Sequence, residues 1–97
     1  MGLFRTQKEN EVVHIRGPCL DASIRVSYIG GTLRDKKVEL RVRGIPGLET
    51  VTISNSDGLV ELMEGIEIGV RDDQGNYFRK VDLHYRVSQA YTVSWER

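Results

Sequence analysis

Cations that recur at alternate positions are the residues of this sequence best placed to do chemistry. Lys37, Arg41 and Arg43 stand at positions of the same parity within residues 36–43. In a β-strand such residues share one face, at intervals of roughly 7 Å, so the row could follow a nucleic-acid phosphate backbone. Glu39 interrupts the row, which leaves an ordinary charged sheet face, or an edge protected against aggregation, as the alternative.

Further cations precede this row or recur later in the chain. The candidate RNA-binding residues are Arg5, Lys8, Lys36, Lys37, Arg41, Arg43, Arg79, Lys80 and Arg86. Lys36 falls in the predicted turn before the row, and the last three occupy the equivalent places in the second half of the chain. Three aromatic residues would supply stacking surfaces for bases if they lie beside the cations: Tyr28, Tyr77 and Phe78.

Other reactive side chains lack the neighbours that catalysis or metal binding requires. His14 and His84 fall in different segments without carboxylate or cysteine partners at ligand spacing, so we interpret both as structural or solvated. Cys19 has no histidine or basic cluster beside it that would activate its thiol, and residues 72–76 lack the spacing of a calcium loop. No nucleophile elbow, phosphate loop or metal motif occurs. We therefore predict that the protein is not an enzyme and uses no metal or cofactor.

The composition predicts one globular domain, residues 1–97. Hydrophobic residues make up 39% of the 97 residues and charged residues 29%, which argues against disorder and supports one modest core. The single cysteine cannot form an internal disulfide, and no apolar stretch has the length of a membrane span or a signal-peptide core. We expect a cytoplasmic protein, of a bacterium or of an infected host cell, with no membrane partner.

The distribution of charge is uneven although the formal net charge is zero. Residues 1–53 contain nine basic and six acidic side chains, and residues 54–97 contain five basic and eight acidic ones. Zero net charge weakens the case for bulk attraction to nucleic acid, whereas the excess of cations in the first half favours it there. Chance scatter over a solvated surface is the alternative explanation.

Alternation of apolar and polar residues is the main structural signal. It occurs in residues 24–28, 37–43, 66–70, 81–87 and 91–95, and turn residues rich in glycine, asparagine and aspartate separate the segments. Such alternation is typical of half-buried antiparallel strands. We predict an all-β fold, a small antiparallel barrel or sandwich of about nine to ten short strands, with helix below roughly 10% of the chain.

Three blocks of the sequence recur in the same order 42 or 43 residues later. Residues 23–26, 36–43 and 50–53 match residues 65–68, 79–86 and 92–95. We interpret this as a duplication of two related halves, residues 1–54 and 55–97. The alternative is that two β-hairpins of similar composition look alike by accident.

Residues 3–15, 24–31, 37–46 and 50–53 together resemble the carbon storage regulator family of small RNA-binding translational repressors. The resemblance covers about 50 residues well, and the second half repeats the same order of strands more loosely. It implies an intertwined all-β architecture, because the family's members are homodimers of chains about half this length. It also implies RNA as the partner, and a monomer or a homodimer as the assembly.

The sequence departs from the family where the family touches RNA. The first-strand positions of two adjacent basic residues correspond to Gln7 and Lys8, and the arginine of the last strand is absent from residues 51–55. Residues 93–97 keep charges in that region but not their spacing. We predict an RNA-binding post-transcriptional regulator. The alternative is a protein-binding module or inhibitor on the same scaffold, of phage origin, that no longer binds RNA and binds a host protein instead. A third class, less favoured, is a protein that sequesters a small ligand between its halves.

Overall fold

The alternating segments form antiparallel strands in the computed structural model, which describes residues 2–32, 35–71 and 80–96. Nine strands lie in these ranges: β1 (Gly2–Lys8), β2 (Val12–Gly17), β3 (Leu20–Gly31), β4 (Lys36–Arg43), β5 (Thr50–Ser54), β6 (Val60–Met63), β7 (Ile66–Val70), β8 (Lys80–Val87) and β9 (Thr92–Glu96). A 3₁₀ turn, Asn55–Asp57, is the only helical element among the described residues, and none of these residues forms a helix that could cross a membrane. The predicted all-β fold is confirmed.

Two antiparallel sheets pack face to face as a small sandwich. One has five strands in the order β5-β4-β3-β2-β9, and the other has four in the order β1-β8-β7-β6. The two ends of the chain are exchanged between them. β1 pairs with β8 in the sheet otherwise built from the second half, whereas β9 pairs with β2 in the sheet otherwise built from the first half.

The core lies between the two sheets and takes alternate residues from their strands. The alternating pattern of β4 and β8 predicts that their apolar residues are buried, and six of them are at most 5% exposed, which confirms this: Val38, Leu40, Val42, Val81, Leu83 and Tyr85. Tyr85 carries a hydroxyl into this core and donates a hydrogen bond to the side-chain oxygen of buried Gln7 on β1. Burial raises the pKa of the Tyr85 hydroxyl well above its usual range. The hydroxyl therefore stays protonated and neutral, which is the form that can donate this hydrogen bond.

The blocks of the predicted repeat do not occupy equivalent places in the structure. β3 pairs with β4, and β7 pairs with β8, both antiparallel, but the registers differ: Ile24 lies opposite Val42, whereas the matching Ile66 lies opposite Val87. The third block differs in its neighbours, because β5 lies beside β4 whereas β9 lies beside β2 and leaves the edge of β8 to β1. The duplication therefore stays a hypothesis without support from the strand order.

Gly44 ends the basic strand β4 and packs directly on the start of β3. Its φ is +89°, and a Cβ there would overlap the carbonyl oxygen of Asp21. Gly47 offers a matched control, because its φ is +82° but a Cβ would meet nothing within 4 Å. We expect Gly47→Ala to cost about 1–2 kcal/mol, from the left-handed backbone alone.

Gly44→Ala should cost at least about 2 kcal/mol more than that, since the backbone of β3 must also move. Urea unfolding of both variants measures the difference. Equal losses of stability would contradict the close approach of Gly44 to β3.

Candidate nucleic-acid interface

The outer face of the five-stranded sheet carries the predicted basic row. Lys37, Arg41 and Arg43 are exposed and alternate with the buried core residues of β4. This confirms that the three cations share a solvent-facing side. Glu39 lies between them and is partly buried.

Neighbouring strands widen this row into a patch. Arg41 lies opposite Arg25 of β3, and Arg43 lies opposite Ser23, which in turn lies opposite His14 of β2. These five residues and Val12 line a groove of about 230 Å³. We call this region, with Lys37 and Tyr28, the basic face.

The carboxylates near the groove have other partners. Asp21 pairs with Arg16, with 3.5 Å between Nε and Oδ1, at an exposed position. Glu39 accepts a hydrogen bond of 3.0 Å from the hydroxyl of Ser27. Among the described side chains, none forms an ion pair with Arg25, Arg41 or Arg43. Three guanidinium groups that converge without a paired carboxylate give the groove a positive potential.

Tyr28 adds an aromatic ring to the basic face. The register between β3 and β4 shifts between Val26 and Tyr28, which leaves Ser27 as the extra residue of a β-bulge. Tyr28 therefore points outward opposite Glu39, with Ile29 in the core. The side chain is 58% exposed and its ring lies beside Gly30, where a Cβ would be 2.6 Å from a ring carbon. The predicted stacking residues Tyr77 and Phe78 lie outside the described residues.

Lys36 is not a surface cation, contrary to the sequence prediction. It is the first residue of β4 rather than part of a turn, and it shares the parity of Val38 and Leu40. The side chain is consequently buried between the sheets, where Nζ donates a hydrogen bond of 2.9 Å to the carbonyl oxygen of Lys80. Lys36 thus joins the two sheets and is not accessible to a phosphate.

Arg5 also turns inward. It alternates on β1 with Phe4 and Thr6, which face solvent, and its guanidinium carbon lies 4.5 Å from the centroid of the Trp95 ring. This cation–π contact links β1 to β9 at the side of the sandwich where the exchanged strands meet. Arg5 is thus partly buried and away from the face that carries Lys37, and its role in RNA binding stays a prediction.

Three further predicted cations lie on the opposite surface of the molecule. Lys8, Lys80 and Arg86 are exposed on the outer face of the four-stranded sheet, and Arg79 lies outside the described residues. The predicted residues thus divide between two faces, because the two hairpins that carry them belong to different sheets.

Sequence reasoning missed Arg25 and His14 as members of the groove. Arg25 alternates with core residues Ile24 and Val26, which was a usable signal for an outward side chain. Its position beside Arg41 depends on the register between β3 and β4. The sequence interpretation of His14 as structural or solvated rests on its lack of carboxylate or cysteine partners at ligand spacing, and only the pairing of β2 with β3 brings it beside the basic strand.

An apolar cleft opens where β1 and β9 approach each other. It has a volume of about 330 Å³, and its lining is formed by Leu3, Val87, Ser88, Tyr91, Thr92, Val93 and Trp95.

Comparison of the chain with family models, curated proteins and solved structures gave no match. The described residues include no group of three or more His, Cys, Asp or Glu side chains that could hold a metal ion.

Proposed function

We propose that the protein is a non-enzymatic, RNA-binding regulator of translation that binds single-stranded RNA on its basic face. The observation that carries this proposal is the convergence of Arg25, Arg41 and Arg43 around one groove, with no described carboxylate paired to them. Arginine binds phosphate oxygens with two parallel hydrogen bonds, so three such groups can hold successive parts of an RNA backbone.

The surroundings of the groove fit a single strand better than a duplex. Tyr28 is exposed on the same face, and unpaired bases stack on aromatic rings whereas paired bases have no free face. Ser23 and His14 add polar groups that can bond to a base or a sugar hydroxyl.

The resemblance to carbon storage regulators predicts an intertwined topology. Those proteins form intertwined homodimers, and here the exchange of β1 and β9 interleaves the two halves within one chain. The RNA site we propose nevertheless differs from the family's site. Of the positions that correspond to the family's paired basic residues, Gln7 is buried against Tyr85 and only Lys8 is exposed.

An electrophoretic shift with short single-stranded RNAs tests the proposal. We expect a shift at micromolar protein in low salt, with RNAs containing GGA, the element that the family reads, compared with scrambled controls. The logarithm of the binding constant should fall with the logarithm of the salt concentration, with a slope of about −2 for three phosphate contacts. No shift in low salt would overturn the proposal, because even non-specific phosphate binding should be visible there.

The apolar cleft between β1 and β9 favours a second candidate function, a module that binds a host protein. Its lining includes Leu3, Tyr91 and Trp95, each only partly buried in the free protein. Aromatic side chains in a partly open pocket are frequent anchors of protein interfaces. Trp95→Ala should then abolish capture of the partner, whereas RNA binding on the basic face should not change.

A further inference from the structure

A second exposed aromatic ring lies on the opposite surface of the sandwich. Phe4 of β1 is 56% exposed on the outer face of the four-stranded sheet. Its ring stacks on that of His84 of β8, with 4.2 Å between centroids and 17° between planes. The guanidinium carbon of Arg71, just after β7, lies 4.6 Å from the centroid of the Phe4 ring. Three strands therefore hold a cation–aromatic cluster in place while more than half of Phe4 remains accessible.

Cations extend from this cluster along the sheet. Lys8 and Lys80 lie directly opposite each other on β1 and β8, and Lys8 is about 13 Å from Phe4 along the strand, at four residues of roughly 3.3 Å each. Two ammonium groups at opposed positions repel each other in the free protein, so an anion bound between them is stabilising.

Acidic residues lie in the rows on either side of Phe4. The Asp82 carboxylate, in the row between Phe4 and Lys8, accepts a hydrogen bond from the hydroxyl of Thr6. Glu67 lies in the row on the other side, opposite Arg86 of β8. Arg71 contacts the exposed ring itself, and the opposed Lys8 and Lys80 lie further along β1 and β8.

We propose that this outer face is a second surface for single-stranded RNA, on which a base stacks against Phe4 while Arg71, Lys8 and Lys80 contact phosphates. The choice of RNA as partner rests on the function proposed above. Three cations support it independently, since phosphate complements them: Arg71 in contact with the ring, and the opposed Lys8 and Lys80. Phe4 is the only large apolar side chain that is highly exposed on the described part of this face, and one ring is too little for the apolar centre of a protein interface.

Photocrosslinking with single-stranded RNA that carries 5-iodouridine tests this surface directly, because the excited base couples to an aromatic ring in contact with it. Mass spectrometry of the digested adduct should find the crosslink in the peptide containing Phe4 as well as in the peptide containing Tyr28. Phe4→Leu keeps an apolar side chain but removes the ring, and we expect it to weaken binding by roughly 5- to 150-fold. Arg71→Ala is the second variant, at an exposed position, and should weaken binding in the same direction.

The outcomes separate this proposal from the function of the basic face. If Phe4→Leu and Arg71→Ala bind as the parent does and no adduct forms at Phe4, the second surface is refuted while the basic face stands. If the double variant Arg25→Glu with Arg41→Glu binds RNA as the parent does but Phe4→Leu weakens binding, the second surface stands and the basic face fails. If the parent binds no RNA, both proposals fail. Circular dichroism of each variant confirms that it is folded.

Discussion

Replacing Arg25 and Arg41 together with glutamate is expected to abolish RNA binding on the basic face while the protein stays folded. The two side chains lie opposite each other on adjacent strands and line the same groove. Both point away from the core, so their replacement removes two phosphate contacts and adds two repulsive charges without creating a cavity. A charge-assisted hydrogen bond contributes about 1.5–3 kcal/mol, so affinity should fall by at least about 100-fold.

A conservative pair of variants provides the control. Arg25→Lys with Arg41→Lys keeps both charges and should keep most of the salt dependence, although bidentate contacts are lost. Lys37→Glu with Arg41→Glu extends the test along β4 and should also abolish binding. Parent-like affinity of Arg25→Glu with Arg41→Glu in low salt would show that the groove is not the RNA site.

Truncation of the core leucines is expected to have the largest effect on stability. Leu40 of β4 and Leu83 of β8 are fully buried in the one core cluster between the sheets. Replacing either with alanine should cost about 2–5 kcal/mol, from lost transfer free energy and the cavity that remains. In a domain of this size each kcal/mol lowers the melting temperature by roughly 4–8 °C.

Urea unfolding, followed by Trp95 fluorescence and by circular dichroism, measures this loss for each leucine separately. Thr52→Ala, at an exposed position on β5 opposite Glu39, serves as the control and should change stability by no more than about 0.5 kcal/mol. If Leu83→Ala is as mild as Thr52→Ala, Leu83 does not contribute to a packed core.

Local patterns predicted the strands and most of the core because period-two alternation fixes which residues face inward. The same rule misplaced Lys36 because the start of β4 was predicted one residue too late. Since β4 begins at Lys36, this residue has the same parity as Val38 and its side chain faces the core. The contact between Arg5 and Trp95 was not predictable for a related reason, since nothing in the local sequence distinguishes an arginine that turns inward from a surface cation.

The full set of groove residues could not be predicted, because it depends on how strands distant in the sequence pair. The sequence placed Lys37, Arg41 and Arg43 on one face, but only the register with β3 and β2 brings Arg25 and His14 beside them. The bulge at Ser27, which turns Tyr28 outward, has no marker in the alternation pattern. Nor does the sequence indicate that β1 and β9 leave their own hairpins to pair with the other half, because neighbours in a sheet are selected by burial across the whole molecule.

The exchange of β1 and β9 has a consequence for the order in which the chain can fold during synthesis. β1 precedes its partner β8 by more than 70 residues, and one edge of β2 remains unpaired until β9 has been made. Such distant pairings slow folding and leave strand edges exposed until the partner strand is made. The nascent chain thus cannot complete the four-stranded sheet before β8 is translated, or the five-stranded sheet before β9 is.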